Sequence, residues 1–118
     1  MSSAGSQAYR FYEDVSKNRA LWIAERADGT ALEFDVKDNR VSFPLWSSRS
    51  RIARLKKLNP KLLREFEPRE ISWADFKKTL VPILIEKDRL VGVNLSGKNI
   101  SGFDMSVDSV IRQVEALF

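Results

Sequence analysis

Two neighbouring stretches of strict two-residue alternation constrain this chain most. Leu32, Phe34 and Val36 alternate with Ala31, Glu33 and Asp35, and a few residues later Val41, Phe43 and Leu45 repeat the pattern. A period of two puts successive side chains on opposite faces of a strand. Asp28-Gly29 precedes the first stretch and supplies the turn chemistry of a tight hairpin. The segment "ALWIAERADGTALEFDV" thus reads as two strands around a turn, and the polar residues Lys37 to Arg40 lead into the third. Three short-looped strands in a row predict an N-terminal antiparallel meander.

Helical spacing surrounds these strands. Ala8, Phe11, Tyr12 and Val15 fall on one helical face. Trp73, Phe76, Leu80, Ile83 and Leu84 do the same behind a Ser72 cap, with Pro82 predicting a kink or early end. Val107, Val110, Ile111, Val114, Leu117 and Phe118 form a last stripe behind Ser106. Arg69 to Ile71 is a short strand candidate. "RLVGVNL" is apolar on both faces and predicts a central strand, with "ISGFDM" returning as its hairpin partner. Pro44 predicts that the third strand is an edge there or is about to end. The expectation is one α+β domain over residues 1–118. Its antiparallel or mixed sheet has about five strands and helices packed mainly on one face. Residues 1–6 are expected to be a flexible tail.

Composition excludes whole classes of chemistry. The chain has no cysteine and no histidine. Disulfides, thiolate metal sites, cysteine nucleophiles and Ser-His-Asp hydrolysis are therefore excluded. Ser47, Ser48 and Ser50 lack the Gly-x-Ser-x-Gly and Ser-x-x-Lys contexts of activated serines, and Ser47 or Ser48 is expected to cap the helix that follows. No carboxylate spacing marks an acid–base pair, so no catalytic residue, metal or cofactor is assigned. No apolar run approaches the roughly 20 residues of a membrane span, and the first ten residues carry no apolar signal core. The expectation is a soluble cytoplasmic protein with no membrane partner.

Charge is unevenly placed. Net charge is +4. Arg49, Arg51, Arg54, Lys56, Lys57, Lys61 and Arg64 fall in one stretch without an acid, and thirteen bases face sixteen acids elsewhere. Ile52, Leu55 and Leu58 give that stretch a narrow apolar stripe, and Asn59-Pro60 ends the helix. Arg54, Lys57 and Lys61 stack at i, i+3 and i+7, with Arg51 one turn earlier. Two readings stand open: a solvated face, or a surface for an anionic partner, either nucleic acid or an acidic protein. Trp46 points away from Val41, Phe43 and Leu45. It either plugs a partner pocket or packs beneath the following helix. The candidate partner- or anion-binding residues are therefore Trp46, Arg49, Arg51, Arg54, Lys57 and Lys61. Asn94 and Asp104, with Gly97 and Gly102 between them, form a second candidate cluster for a small ligand or a divalent ion bound through oxygen atoms. Turn and bulge geometry explains the glycines equally well.

The order of these pieces carries a resemblance. A tryptophan-bearing hairpin with an Asp-Gly turn is followed by Pro44-Leu45-Trp46-Ser47, by "EPREIS", by Val91-Gly92-Val93-Asn94, and by Gly97, Gly102 and Asp104. From about Tyr9 to Leu117 this resembles an uncharacterised bacterial domain-of-unknown-function family of small cytoplasmic proteins. A looser resemblance, to the N-terminal domain of type III secretion enhancer proteins, rests on the step from strand through Pro-x-aromatic-Ser to helix. Domains of this build are also similar to immunity proteins that neutralise bacterial toxins. The resemblances imply a non-catalytic binding protein rather than an enzyme.

Overall fold

The computed structural model describes residues 4–118. Helix α1 (Ala4–Asn18) buries Ala8, Phe11 and Val15, the spacing that its sequence dictates. Of the tail expected over residues 1–6, residues 1–3 lie outside the described residues and residues 4–6 already belong to α1. Arg19 ends the helix in the left-handed region, φ 55°, with its N–H on the Val15 carbonyl.

The meander is replaced by a longer-range arrangement. Strand β1 (Ala20–Glu25) closes the Asp28-Gly29 turn through Arg26 N–H to Thr30 O and Leu32 N–H to Ala24 O. Gly29 has φ 89°, and Asp28 Oδ1 accepts from Thr30 N–H. The next strand, β2 (Phe34–Val36), then leaves β1 and pairs antiparallel with β3 (Arg40–Leu45). Trp46 takes its place on β1, exchanging both backbone hydrogen bonds with Trp22 at 2.7 and 2.8 Å. The other edge of β1 carries its full ladder, antiparallel to β4 (Glu67–Ser72) from Ala20–Ser72 to Glu25–Glu67. Periodicity identifies strands but not their partners, and here the partner of β1 lies more than forty residues away.

Among the described residues six strands form two sheets, the antiparallel pair β1–β4 and a mixed four-stranded sheet, joined by the Trp22–Trp46 bridge. β3 pairs in parallel with β5 (Leu90–Val93), and β5 pairs antiparallel with the two-residue β6 (Asp104–Met105). A parallel pair needs a long crossover. Here it contains α2 (Arg49–Leu58), α3 (Pro60–Leu63), β4, α4 (Trp73–Asp75), a π-turn (Phe76–Leu80) and α5 (Val81–Glu86). Pro44 sits inside β3 without breaking a ladder. Leu45 O accepts from Asn94 N–H on the β5 side, and Trp46 bonds Trp22 on the other. By alternation Pro44 faces the second side, where β2 has already stopped opposite Ser42.

The helices cover both faces. α1, α4, α5 and α6 (Val107–Glu115) pack with Leu21, Ile23, Phe43, Leu45, Val91 and Val93 in the larger core. α2 and α3 pack with Ala24, Leu32, Trp46 and Phe66 in a smaller core on the opposite face. The π-turn ahead of Pro82 widens the helix by one residue, so the buried positions shift to Val81 and Leu84 and Ile83 turns to solvent. Ser72 caps α4 by accepting from Asp75 N–H, and Ser106 caps α6 by accepting from Ser109 N–H. The last stripe ends early: Val107, Val110 and Val114 are buried, whereas Leu117 and Phe118 lie beyond the helix and are exposed.

Candidate functional site

The basic stretch forms α2 and α3 rather than one continuous row. Ser48 is the N-cap residue by backbone conformation, but its hydroxyl bonds no helix N–H and lies 3.2 Å from Ser50 Oγ. Ser47 is drawn away instead, donating to Asp14 Oδ2 at 2.8 Å while its N–H is held by Asn94 Oδ1. The expected serine cap is therefore absent, because the loop after β5 and helix α1 compete for Ser47. Ile52 and Leu55 anchor α2 on the smaller core. At about 3.6 residues per turn, that orientation turns Arg54 and Lys57 outward and sends Arg51 and Lys56 to opposite flanks. Asn59 (φ −133°, ψ 60°) breaks the helix, and Pro60 starts α3. Lys61 thus belongs to a separate turn and does not continue the Arg54–Lys57 row.

Neighbouring acids leave these cations largely alone. Glu67 pairs with Lys56 at 2.5 Å, and Glu65 with Arg26 at 3.8 Å. Among the described residues no ion pair reaches Arg49, Arg51, Arg54, Lys57 or Lys61. Arg49, Arg54, Lys57 and Lys61 are exposed. Arg51 is half-buried, and desolvation lowers its pKa against the favourable field of Asp14. It stays charged, since a guanidinium does not deprotonate in proteins. Arg10 of α1 bears on Arg51 with like charge, so α1 adds a cation to this surface. The sequence reading missed Arg10, whose spacing shows only an amphipathic helix forty residues upstream.

Trp46 is corrected outright as a partner-facing anchor. It is 1% exposed, sits among Ile52, Leu55, Leu63 and Phe66, and its Nε1 donates to Leu95 O at 2.9 Å. Its outward face is outward only from the larger core; the second helical layer covers it. Phe43 and Phe66 are buried as well.

Asn94 and Asp104 do not form one cluster. Asn94 is fully buried with φ 50°. Its side chain accepts from Ser47 N–H at 2.9 Å and donates to Ser47 Oγ at 3.1 Å and to Gln7 O at 3.3 Å. Its carbonyl accepts from Gln7 Nε2 at 2.7 Å. Every polar atom of the side chain is engaged, so Asn94 ties α1, the start of α2 and β5 together and offers a ligand nothing. Asp104 is exposed on β6, where its Oδ1 accepts from Ser42 Oγ at 2.5 Å. Gly102 serves close packing: an added Cβ would lie 2.7 Å from Leu95 Cδ2. Gly97 has φ 82° in the turn. Among the described residues no three Asp or Glu side chains gather closely enough to hold a metal ion, and no helix is long and apolar enough to cross a membrane.

Comparison with known proteins identifies a family. The model of the family described as "Protein of unknown function (DUF2750)" matches residues 8–114, and the chain belongs to that family. No curated protein matches it. The solved structure of Anabaena Tic22 (protein transport) aligns with 79% of this chain at 11% identity and a TM-score of 0.46. The chain spans about half of that structure, 47% of its length.

Proposed function

We propose that this member of the DUF2750 family is a non-catalytic, cytoplasmic protein-binding module of immunity or regulatory type, docking an acidic protein surface on α2 and α3. The observation that carries the reading is the set of exposed cations Arg49, Arg54, Lys57 and Lys61, which no ion pair among the described residues reaches although Glu65 and Glu67 lie close in sequence. A solvated face ordinarily mixes signs. Leu58 and Leu62, 41% and 53% exposed, follow directly on Lys57 and Lys61. Apolar side chains interleaved with cations suit a protein partner, which can bury both. The nucleic-acid alternative, with Arg51, Arg54, Lys57 and Lys61 on phosphates, has less support. Single-strand recognition relies on exposed aromatic rings, and Trp46, Phe43 and Phe66 are buried.

The test is the double variant Arg54→Glu with Lys57→Glu, both exposed and outside the core. Proteins captured from the producing cell by the wild-type chain, and confirmed with purified components, are expected to be lost by the variant. A partner list that the charge reversal leaves unchanged removes this surface from the interface. Binding to DNA or RNA with an affinity falling by a log–log slope of about −0.9 per phosphate would replace the protein-partner reading with the alternative.

A further inference from the structure

A slot lies on the sheet face opposite α2, where the residue after α1, the start of α4 and the end of α6 meet. Arg19, Trp73, Ala74, Lys77, Lys78 and Phe118 line it, and its volume is about 670 Å³. Small-molecule sites run from roughly 300 to 1,000 Å³. We propose that this slot binds a small amphipathic carboxylate: a flat apolar body seated on Trp73 and Phe118, with its acid group between Arg19 and Lys78.

The apolar wall is preformed. The Phe118 ring stands edge-on to the Trp73 indole, with centroids 6.3 Å apart and planes at 74°. Phe118 is nevertheless 49% exposed, so part of its surface has no protein cover. The Arg19 guanidinium stacks on that ring, 3.5 Å from its centroid, and its Nε donates to Ser16 O at 2.9 Å. Arg19 occupies a left-handed backbone position that glycine or asparagine takes with least strain. What arginine adds there is a guanidinium fixed at the mouth of the slot.

Charge selects the ligand class. The slot's acid, Glu115, is already engaged: its Oε2 accepts from Trp73 Nε1 at 2.9 Å and from Lys77 Nζ at 2.6 Å. Among the described residues no ion pair reaches Arg19 or Lys78. The Lys77 hydrogen bond, with help from the field of Arg19, holds the Glu115 carboxyl below the usual range, yet three bases, Arg19, Lys77 and Lys78, face that acid around an apolar wall. A neutral ligand would leave this excess of positive charge unanswered, and a cationic one would be repelled. A planar carboxylate meets the remaining guanidinium N–H groups as a hydrogen-bonding fork.

Naphthalene-2-acetate is a suitable probe, with naphthalene-2-acetamide as its neutral match and the indole N–H signals of Trp22, Trp46 and Trp73 as readouts. The acid is expected to shift the Trp73 signal, with half-saturation near about 1 mM for a ligand of this size. Trp22 and Trp46 are expected to stay in place, and the amide to bind more weakly. Lys78→Gln and Arg19→Gln, each with the rest of its spectrum intact, are expected to weaken binding by about threefold. An unmoved Trp73 signal at about 10 mM acid, equal binding of the amide, or indifference to both substitutions overturns the proposal. Arg54→Glu with Lys57→Glu is expected to leave the probe's affinity unchanged, so the slot and the α2 surface stand or fall separately.

Discussion

Asn94 shows most clearly what one residue does in this fold. It joins three segments far apart in sequence: Gln7 on α1, Ser47 before α2, and the end of β5. Its polar atoms are buried and paired, so truncation strands Ser47 N–H without a partner and takes a donor from both Ser47 Oγ and the helical carbonyl of Gln7. Each buried group left unsatisfied costs roughly 1–3 kcal/mol. Asn94→Ala is therefore expected to lower stability by about 3 kcal/mol, measured as a shift in the denaturant midpoint. A loss under about 1 kcal/mol would mean that water or rearrangement satisfies those groups. From sequence, the same asparagine beside glycines and Asp104 resembles a ligand cluster. Polar residues at the end of an apolar strand look alike whether they point at solvent or at a buried backbone, and only the position of α1 distinguishes the two.

At the scale of elements, β4 is an exposed edge strand, and its sequence manages that exposure. Trp73 N–H turns toward β1 and donates to Arg19 O. By alternation the backbone groups of Pro68, Glu70 and Ser72 turn away from β1. Proline therefore occupies an outward position, where its missing N–H interrupts any ladder with another chain. Pro68→Val is expected to leave the β1–β4 register intact and to increase self-association, seen as a concentration-dependent rise in sedimentation coefficient. An unchanged profile removes this role from Pro68. Helix capping was legible in advance at Ser72 and Ser106, where the serine has no competitor. It failed at Ser47, which Asn94 and Asp14 claim. The shift of Ile83 to solvent was likewise hidden, because a proline announces a distortion without saying which way the helix relieves it.

For the whole molecule, one strand serves two cores. β1 sends Leu21 and Ile23 into the larger core and Trp22 and Ala24 toward the smaller one. Neither core can be lost without exposing half of β1, so the molecule is expected to unfold in one step. Leu84→Ala in the larger core and Leu55→Ala in the smaller are each expected to destabilise by about 2–5 kcal/mol. Unfolding curves followed separately at the Trp46 and Trp73 indole signals should coincide in both variants. Two separated transitions would show that the cores unfold independently. The two proposed surfaces lie on opposite sides of this shared strand, with α2 and α3 on one side and α1, α4 and α6 on the other.

The sequence by itself determined the elements and the exclusions. Apolar periodicity fixes which face of a local segment must leave water, so the helices, most strands and the Asp28-Gly29 turn could be read directly. The absence of cysteine and histidine removes their chemistry in any fold. Tertiary structure alone decided partnership: β1 with β4 rather than with β2, Trp46 under α2 rather than toward solvent, Asn94 apart from Asp104, and Arg10 beside Arg51. Those outcomes depend on contacts between residues tens of positions apart. Their energies are set by which layers happen to cover a face, and a local pattern of side chains carries no record of that.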